Sequence, residues 1–178
     1  MGDNEITYLN RTVKHIRLVQ DNMLFLITKH SKELNLSMTD RQVLMYNVMQ
    51  HDVSKFNYKQ YKDYIAITEY YKNNAIGTWT TEMQDAWIDH YKSENHHPIR
   101  LRNDENFTFD KYCQIECCCD LQAMSQENGE PSCLDYFSNQ WIAENKQYLD
   151  AQSQDTQQVI NYMRKVIQLF HQPNRVLI

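Results

Sequence analysis

Four residues of this chain have the types and spacing to hold one metal ion: His15, His51, Asp52 and Asp120. His51 and Asp52 are adjacent in the run Val48-Met49-Gln50-His51-Asp52-Val53-Ser54-Lys55-Phe56. Helical neighbours point about 100° apart, so both reach one ion only if it lies at the helix edge. Lys55 stands four residues past His51 and three past Asp52, hence on the same side. An imidazole, a carboxylate and an ammonium converging on one surface suit a cation that holds a phosphate. His15 falls mid-way along an early helical stretch, one position off its apolar stripe. Asp120 sits among Cys119, Leu121 and Ala123 in a later one. Burying either group without a partner is costly. With His51 and Asp52 they supply two imidazoles and two carboxylates from three helices, a set for an octahedral divalent first-row ion with positions open to water.

A second cluster stands between Asp52 and Asp120: His90, His96 and His97, in Trp87-Ile88-Asp89-His90-Tyr91-Lys92-Ser93-Glu94-Asn95-His96-His97-Pro98. Histidines at a helix C-terminus can simply complement the dipole, but His96-His97-Pro98 just after a helix is not what periodicity places on a plain surface. Glu116 lies one turn before Asp120 on the same face. It is either a group behind the ligands that orients them or an ordinary surface carboxylate. His30 and His171 read as solvated histidines without a role. Of the five cysteines, Cys113, Cys117, Cys118 and Cys119 lack zinc-ribbon spacing and read as small buried residues in a reducing compartment.

The elements that must position these groups are helices. Only three glycines and three prolines occur in 178 residues, and alternating β-branched runs are few. The spacing predicts an all-α bundle of about 6–7 helices in one domain over residues 1–172, with a loosely held tail at 173–178. The first helix is expected from Ile6 to Leu34, burying Ile6, Leu9, Val13, Ile16, Met23 and Ile27. A second starts after Thr39 as N-cap, with Gln42 three residues on, and reaches His51-Asp52. A tyrosine-rich helix covers Tyr58 to Lys72, whose tyrosines are either half-buried packing or a partner surface. Thr80 or Thr81 caps a helix carrying Trp87 and His90 that stops before Pro98. Arg100 to Asn106 reads as loop. Helix resumes near Thr108 and closes at Gly129, and two more follow, about Cys133 to Leu149 and Thr156 to Phe170.

Net charge of -5 gives no electrostatic footprint for duplex nucleic acid. Mean hydropathy is -0.73, and no apolar run nears the roughly 20 residues of a membrane helix. The polar, acidic start matches no signal or transit peptide, so a cytoplasmic location is expected.

The order His15, then His51-Asp52, then Asp120 resembles the H…HD…D pattern of the HD-domain superfamily of metal-dependent phosphohydrolases. That resemblance covers most of the chain and implies a helical bundle in which these four residues are metal ligands. HD-GYP cyclic-dinucleotide phosphodiesterases also place histidines between the pair and the last Asp, and carry H-D-x-G-K. Here Ser54 replaces the Gly, and the Gly-Tyr-Pro element is missing. The closer similarity is to an uncharacterised family of short bacterial and phage proteins related to HD domains, with H-D-x-S-K-F, W-x-x-H-x-x-x-N-x-H-H-P and C-D-W-x-A-M-S. This chain matches with His51 to Phe56, Trp87 to His90, Asn95 to Pro98, and Cys119 to Ser125. It departs in having Leu121 for Trp and one extra residue before Asn95. The resemblance implies hydrolysis of a small phosphorylated molecule, a nucleotide being the expected class, through one or two divalent ions (Mn, Fe, Co, Ni or Zn). His15, His51, Asp52 and Asp120 would bind one ion, and His90 with His97 or His96 the second, with Lys55 and Asp52 acting on the phosphate. A di-iron oxygenase on the same ligands and a non-enzymatic helical adaptor with a structural site remain open as alternatives, as does the oligomeric state.

Overall fold

The computed structural model describes residues 2–57, 60–73, 75–151 and 155–171; the expected tail at 173–178 lies outside them. The protein is all-helical, in the order α1 (Asp3–Lys29), α2 (Met38–Met49), a 3-10 turn (Val53–Phe56), α3 (Tyr61–Lys72), α4 (Thr81–Ser93), a second 3-10 turn (Pro98–Arg102), α5 (Lys111–Glu127), α6 (Leu134–Tyr136), α7 (Ile142–Leu149) and α8 (Thr156–Leu169). No described helix is long and apolar enough to cross a membrane. A π-turn over Phe137–Trp141 joins α6 to α7, so the expected 133–149 helix is continuous but locally widened.

α5 is the central element. It packs along α1 on one side and α8 on the other, and α2 closes against both α1 and α5. Toward α8 it presents Cys118, whose thiol lies 3.6 Å from Met163 O, and Ile115 and Leu121 are buried in the same cluster as Met163, Val166 and Ile167. All five cysteines are buried, as expected for Cys113, Cys117, Cys118 and Cys119. A smaller cluster of Tyr8, Tyr64, Ile67, Met83 and Ala86 joins α1, α3 and α4. Tyr61, Tyr70, Trp79 and Trp87 pack around it, which makes most of the described tyrosine-rich helix packing; Tyr71 is exposed, and Tyr58 lies outside the described residues.

Two expectations about α1 and α2 are corrected. The buried face of α1 is Tyr8, Thr12, His15, Val19, Asn22, Met23, Leu26 and Ile27, while Ile6 and Val13 are 44% and 38% exposed. Met23 and Ile27 are buried as expected and Leu9 and Ile16 partly so, but the buried face is rotated toward polar groups, so His15 is on it rather than beside it. The cap of α2 is Ser37, not Thr39. Its hydroxyl accepts from Asp40 N at 3.1 Å, and the Asp40 carboxylate accepts from Ser37 N at 2.8 Å, a reciprocal capping box. Thr80 caps α4 as expected. α5 begins at Lys111 rather than near Thr108, because Asp110 accepts from both Tyr112 N and Cys113 N. It ends where Gly129, at φ 76°, takes the left-handed conformation that terminates helices.

Candidate metal centre

α2 stops at Met49, short of the expected His51-Asp52 pair, and the chain reverses at Asp52 with φ 59° and ψ 13°. This left-handed conformation is uncommon for a residue with a Cβ, and Asp is among the few types that tolerate it. The reversal removes the angular conflict between helical neighbours, so His51 and Asp52 face one space from a turn. Tyr8 anchors the following 3-10 segment by donating from its hydroxyl to Lys55 O at 2.7 Å.

The four core residues meet there. Nε2 of His15 is 2.9 Å from Oδ1 of Asp120 and 3.6 Å from Oδ2 of Asp52. Nε2 of His51 is 3.7 Å from each of the same two oxygens. Neighbouring donors around an ion with bonds of about 2.1 Å lie roughly 3.0–3.4 Å apart, so shifts of a few tenths of an ångström would close the set. The other Asp52 oxygen, Oδ1, faces a different group. It is 3.4 Å from Nε2 of His90 and 4.0 Å from Nε2 of His96, and Nε2 of His97 is 3.1 Å from that of His90. His90, His96 and His97 can converge on one ion, as can His15, His51 and Asp52; His96 also groups with His51 and Asp120.

These residues fit a cation on two grounds. Asp52 and His51 are almost fully buried, yet Oδ1 of Asp52 and Nε2 of His51 have no hydrogen-bond partner among the described residues. Such orphaned atoms cost free energy unless something else satisfies them. Second, the histidines are oriented from behind. Nδ1 of His51 donates to Oε1 of Glu116 at 3.1 Å, and Nδ1 of His96 lies 3.4 Å from the same oxygen. Nδ1 of His15 donates to Glu127 at 3.2 Å, and Nδ1 of His90 pairs with the Ser54 hydroxyl at 2.9 Å. A carboxylate can only accept, so Glu116 and Glu127 keep a proton on Nδ1 and aim Nε2 at the centre, where Nε2 of His15 carries a second proton toward Asp120 that an ion would displace.

Charge at the centre follows from this packing. Burial opposes a charge on His15, but Asp120 and Glu127 outweigh it and hold its pKa up to about 9. His96 is likewise held up to about 9, with Glu116 overcoming burial. Burial pushes His90 and His97 well below the usual histidine range. Burial also works against an ionised Asp52, yet Lys55 and the surrounding histidines keep it far below the ordinary carboxylate range. Lys55 Nζ lies 2.5 Å from Asp52 Oδ2.

All seven proposed ligands are therefore brought together, along with Lys55. Glu116 proves to be a buried orienting group and not a surface carboxylate. Glu127 and Ser54 are additions the sequence reading missed. Glu127 could have been found, since 116, 120 and 127 repeat at helical spacing along one face of α5. Tyr91, also missed, stacks on His97 with centroids 4.0 Å apart and planes 13° from parallel, and packs on Trp87 at 4.3 Å. His30 is not solvated: it is buried, edge-on to Phe25 at 5.1 Å. His171 is exposed and pairs with Ser132.

Among known proteins, a family of unknown function (DUF5662) has a model that matches residues 4–168. The chain belongs to this family. No curated protein and no solved structure matches it. The match spans α1 to nearly the end of α8 and so includes every residue of the metal centre.

Proposed function

We propose that this DUF5662 member is a metal-dependent phosphohydrolase of the HD-domain kind, acting on a phosphate ester of a small molecule, with a nucleotide as the expected class. The observation that carries the reading is Asp52: its two oxygens face two separate groups of histidines, and an ammonium stands beside one of them. A shared carboxylate between imidazole sets is the arrangement of a two-ion centre. When bound, the ions would supply an activated water and Lewis-acid stabilisation of phosphoryl oxygens. The mixed nitrogen and oxygen donors favour Mn, Fe, Co, Ni or Zn over Mg or Ca.

The chain's own residues would divide the remaining work. His15, His51, Asp52 and Asp120 would hold one ion, and His90, His96 and His97 with Asp52 the other. Glu116, Glu127 and Ser54 keep the imidazoles aimed inward. Lys55 is a quarter exposed at its side chain, so it can pair with Asp52 at rest and turn toward a phosphate when one arrives. In the low dielectric beside buried groups, that ammonium would stabilise the negative charge gathering on the phosphoryl group.

The test is metal analysis of purified protein, followed by a phosphomonoesterase and phosphodiesterase panel with Mn²⁺, Co²⁺ or Ni²⁺. Turnover that chelation removes and the metal restores is the expected result. If His51→Ala and Asp52→Ala keep the metal of the unmodified chain, the site assignment is wrong. Oxygen consumption by an iron-loaded protein inert toward phosphate esters would replace hydrolysis with oxygenase chemistry.

A further inference from the structure

The two halves of the centre are not equivalent. One half offers two imidazoles and two carboxylates, from His15, His51, Asp120 and Oδ2 of Asp52. The other offers three imidazoles and a single carboxylate oxygen, from His90, His96, His97 and Oδ1 of Asp52. They differ in local charge as well. Lys55 Nζ stands 2.5 Å from Oδ2, the oxygen of the first half, whereas Oδ1 is buried and without a hydrogen-bond donor among the described residues. An arriving dication must therefore contend with an ammonium in the first half, while in the second it meets an oxygen already stripped of partners.

Donor type selects metal. Imidazole-rich sites favour late ions such as zinc, and carboxylate-rich sites with positions left for water suit earlier, harder ions such as manganese. Affinity of one site for divalent ions also rises from Mn²⁺ toward the late metals, so the half without the ammonium should take the late ion first. The close His90–His97 approach of 3.1 Å matches the spacing of neighbouring ligands on one ion.

We infer that the centre is a mixed-metal one, with zinc in the His90–His96–His97 half and Mn²⁺ in the His15–His51–Asp120 half, bridged by Asp52. This rests on the two-ion reading above, and adds to it that the halves discriminate between ions.

The experiment uses the full chain, stripped with chelator and then given one equivalent each of Zn²⁺ and Mn²⁺. After dialysis, elemental analysis should find one of each per chain, and the Mn²⁺ electron paramagnetic resonance spectrum should be that of an isolated ion. With Mn²⁺ alone in excess, an exchange-coupled pair should appear, which one equivalent of Zn²⁺ converts to the isolated signal. His97→Gln should lose zinc and keep manganese, and His15→Gln the reverse. Circular dichroism checks that each variant is folded, and the competition on the unmodified chain decides the matter if one is not. Random mixing of the ions, two like ions at equal affinity, or the opposite assignment in the variants overturns the mixed-metal inference and leaves the two-ion reading standing. Failure to bind more than one ion under any loading overturns both.

Discussion

α5 carries two faces with opposite physical logic. On its apolar side, Cys118 meets Met163 of α8, with Ile115, Leu121, Val166 and Ile167 in the same buried cluster, and this side is stabilised by removing apolar surface from water. Toward α1 and the His51-Asp52 turn, Glu116, Asp120 and Glu127 are buried or nearly so among histidines. That second face costs desolvation energy, which the mutual pairing of its carboxylates with histidines offsets, and which a cation held there would offset further. One helix thus joins a face that maintains the fold to a face that the fold must support. Substitutions on the first should alter stability without touching metal content, and those on the second should do the opposite.

Asp52→Asn should break the polar side most completely. Removing the bridging charge should abolish two-ion loading and lower metal-dependent turnover by roughly 10³-fold or more, the scale for losing an essential member of a catalytic unit. Elemental analysis beside steady-state kinetics checks both parts. Met163→Ala should do the reverse, since Met163 is wholly buried against the apolar face. It should cost about 2–5 kcal/mol in denaturant unfolding, with the metal stoichiometry of the unmodified chain. Loss of metal in that variant would show that the faces are not separable.

Glu116→Gln should be intermediate. It keeps the shape but removes the charge that orients His51 and His96, and should weaken metal binding about 10–100-fold while the protein stays folded. Titration calorimetry reads this directly. The smallest effect is expected at Asp40, far from the centre, where Lys111 first, then Tyr112 and the Ser37 amide, hold the carboxylate below its ordinary value of 3.8. A carboxylate depressed on folding stabilises the native state above its unfolded pKa, and that contribution is lost as pH falls. Thermal melts from pH 5 to pH 2 should therefore show less acid destabilisation in Asp40→Asn than in the unmodified chain.

Much of the helical plan was legible in local sequence. Thr80 as a cap, Gly129 as a terminator and the start of α8 near Thr156 rest on interactions within a few residues, which composition and spacing express directly. The face of α1, where Met23 and Ile27 are buried as expected but Ile6 and Val13 are not, shows where such reasoning stops. Period alone assumes that the buried side is the apolar side, and His15 and Asn22 violate that because they face other polar groups 97 to 112 residues away, as Asn22 does at Cys119 O and His15 at Glu127. The Ser37 cap was also missed, although its Asp40 partner was available three residues on.

The sequence by itself determined the donors: which imidazoles and carboxylates exist, how they are spaced along the chain, and that Lys55 accompanies them. Only the tertiary structure decided how they are shared. The left-handed turn at Asp52 splits its two oxygens between two histidine groups, and packing of α5 against α1 places Glu116 and Glu127 behind His51 and His15. Those outcomes depend on backbone direction and on contacts between distant segments, and neither is written in the spacing of neighbours along the chain.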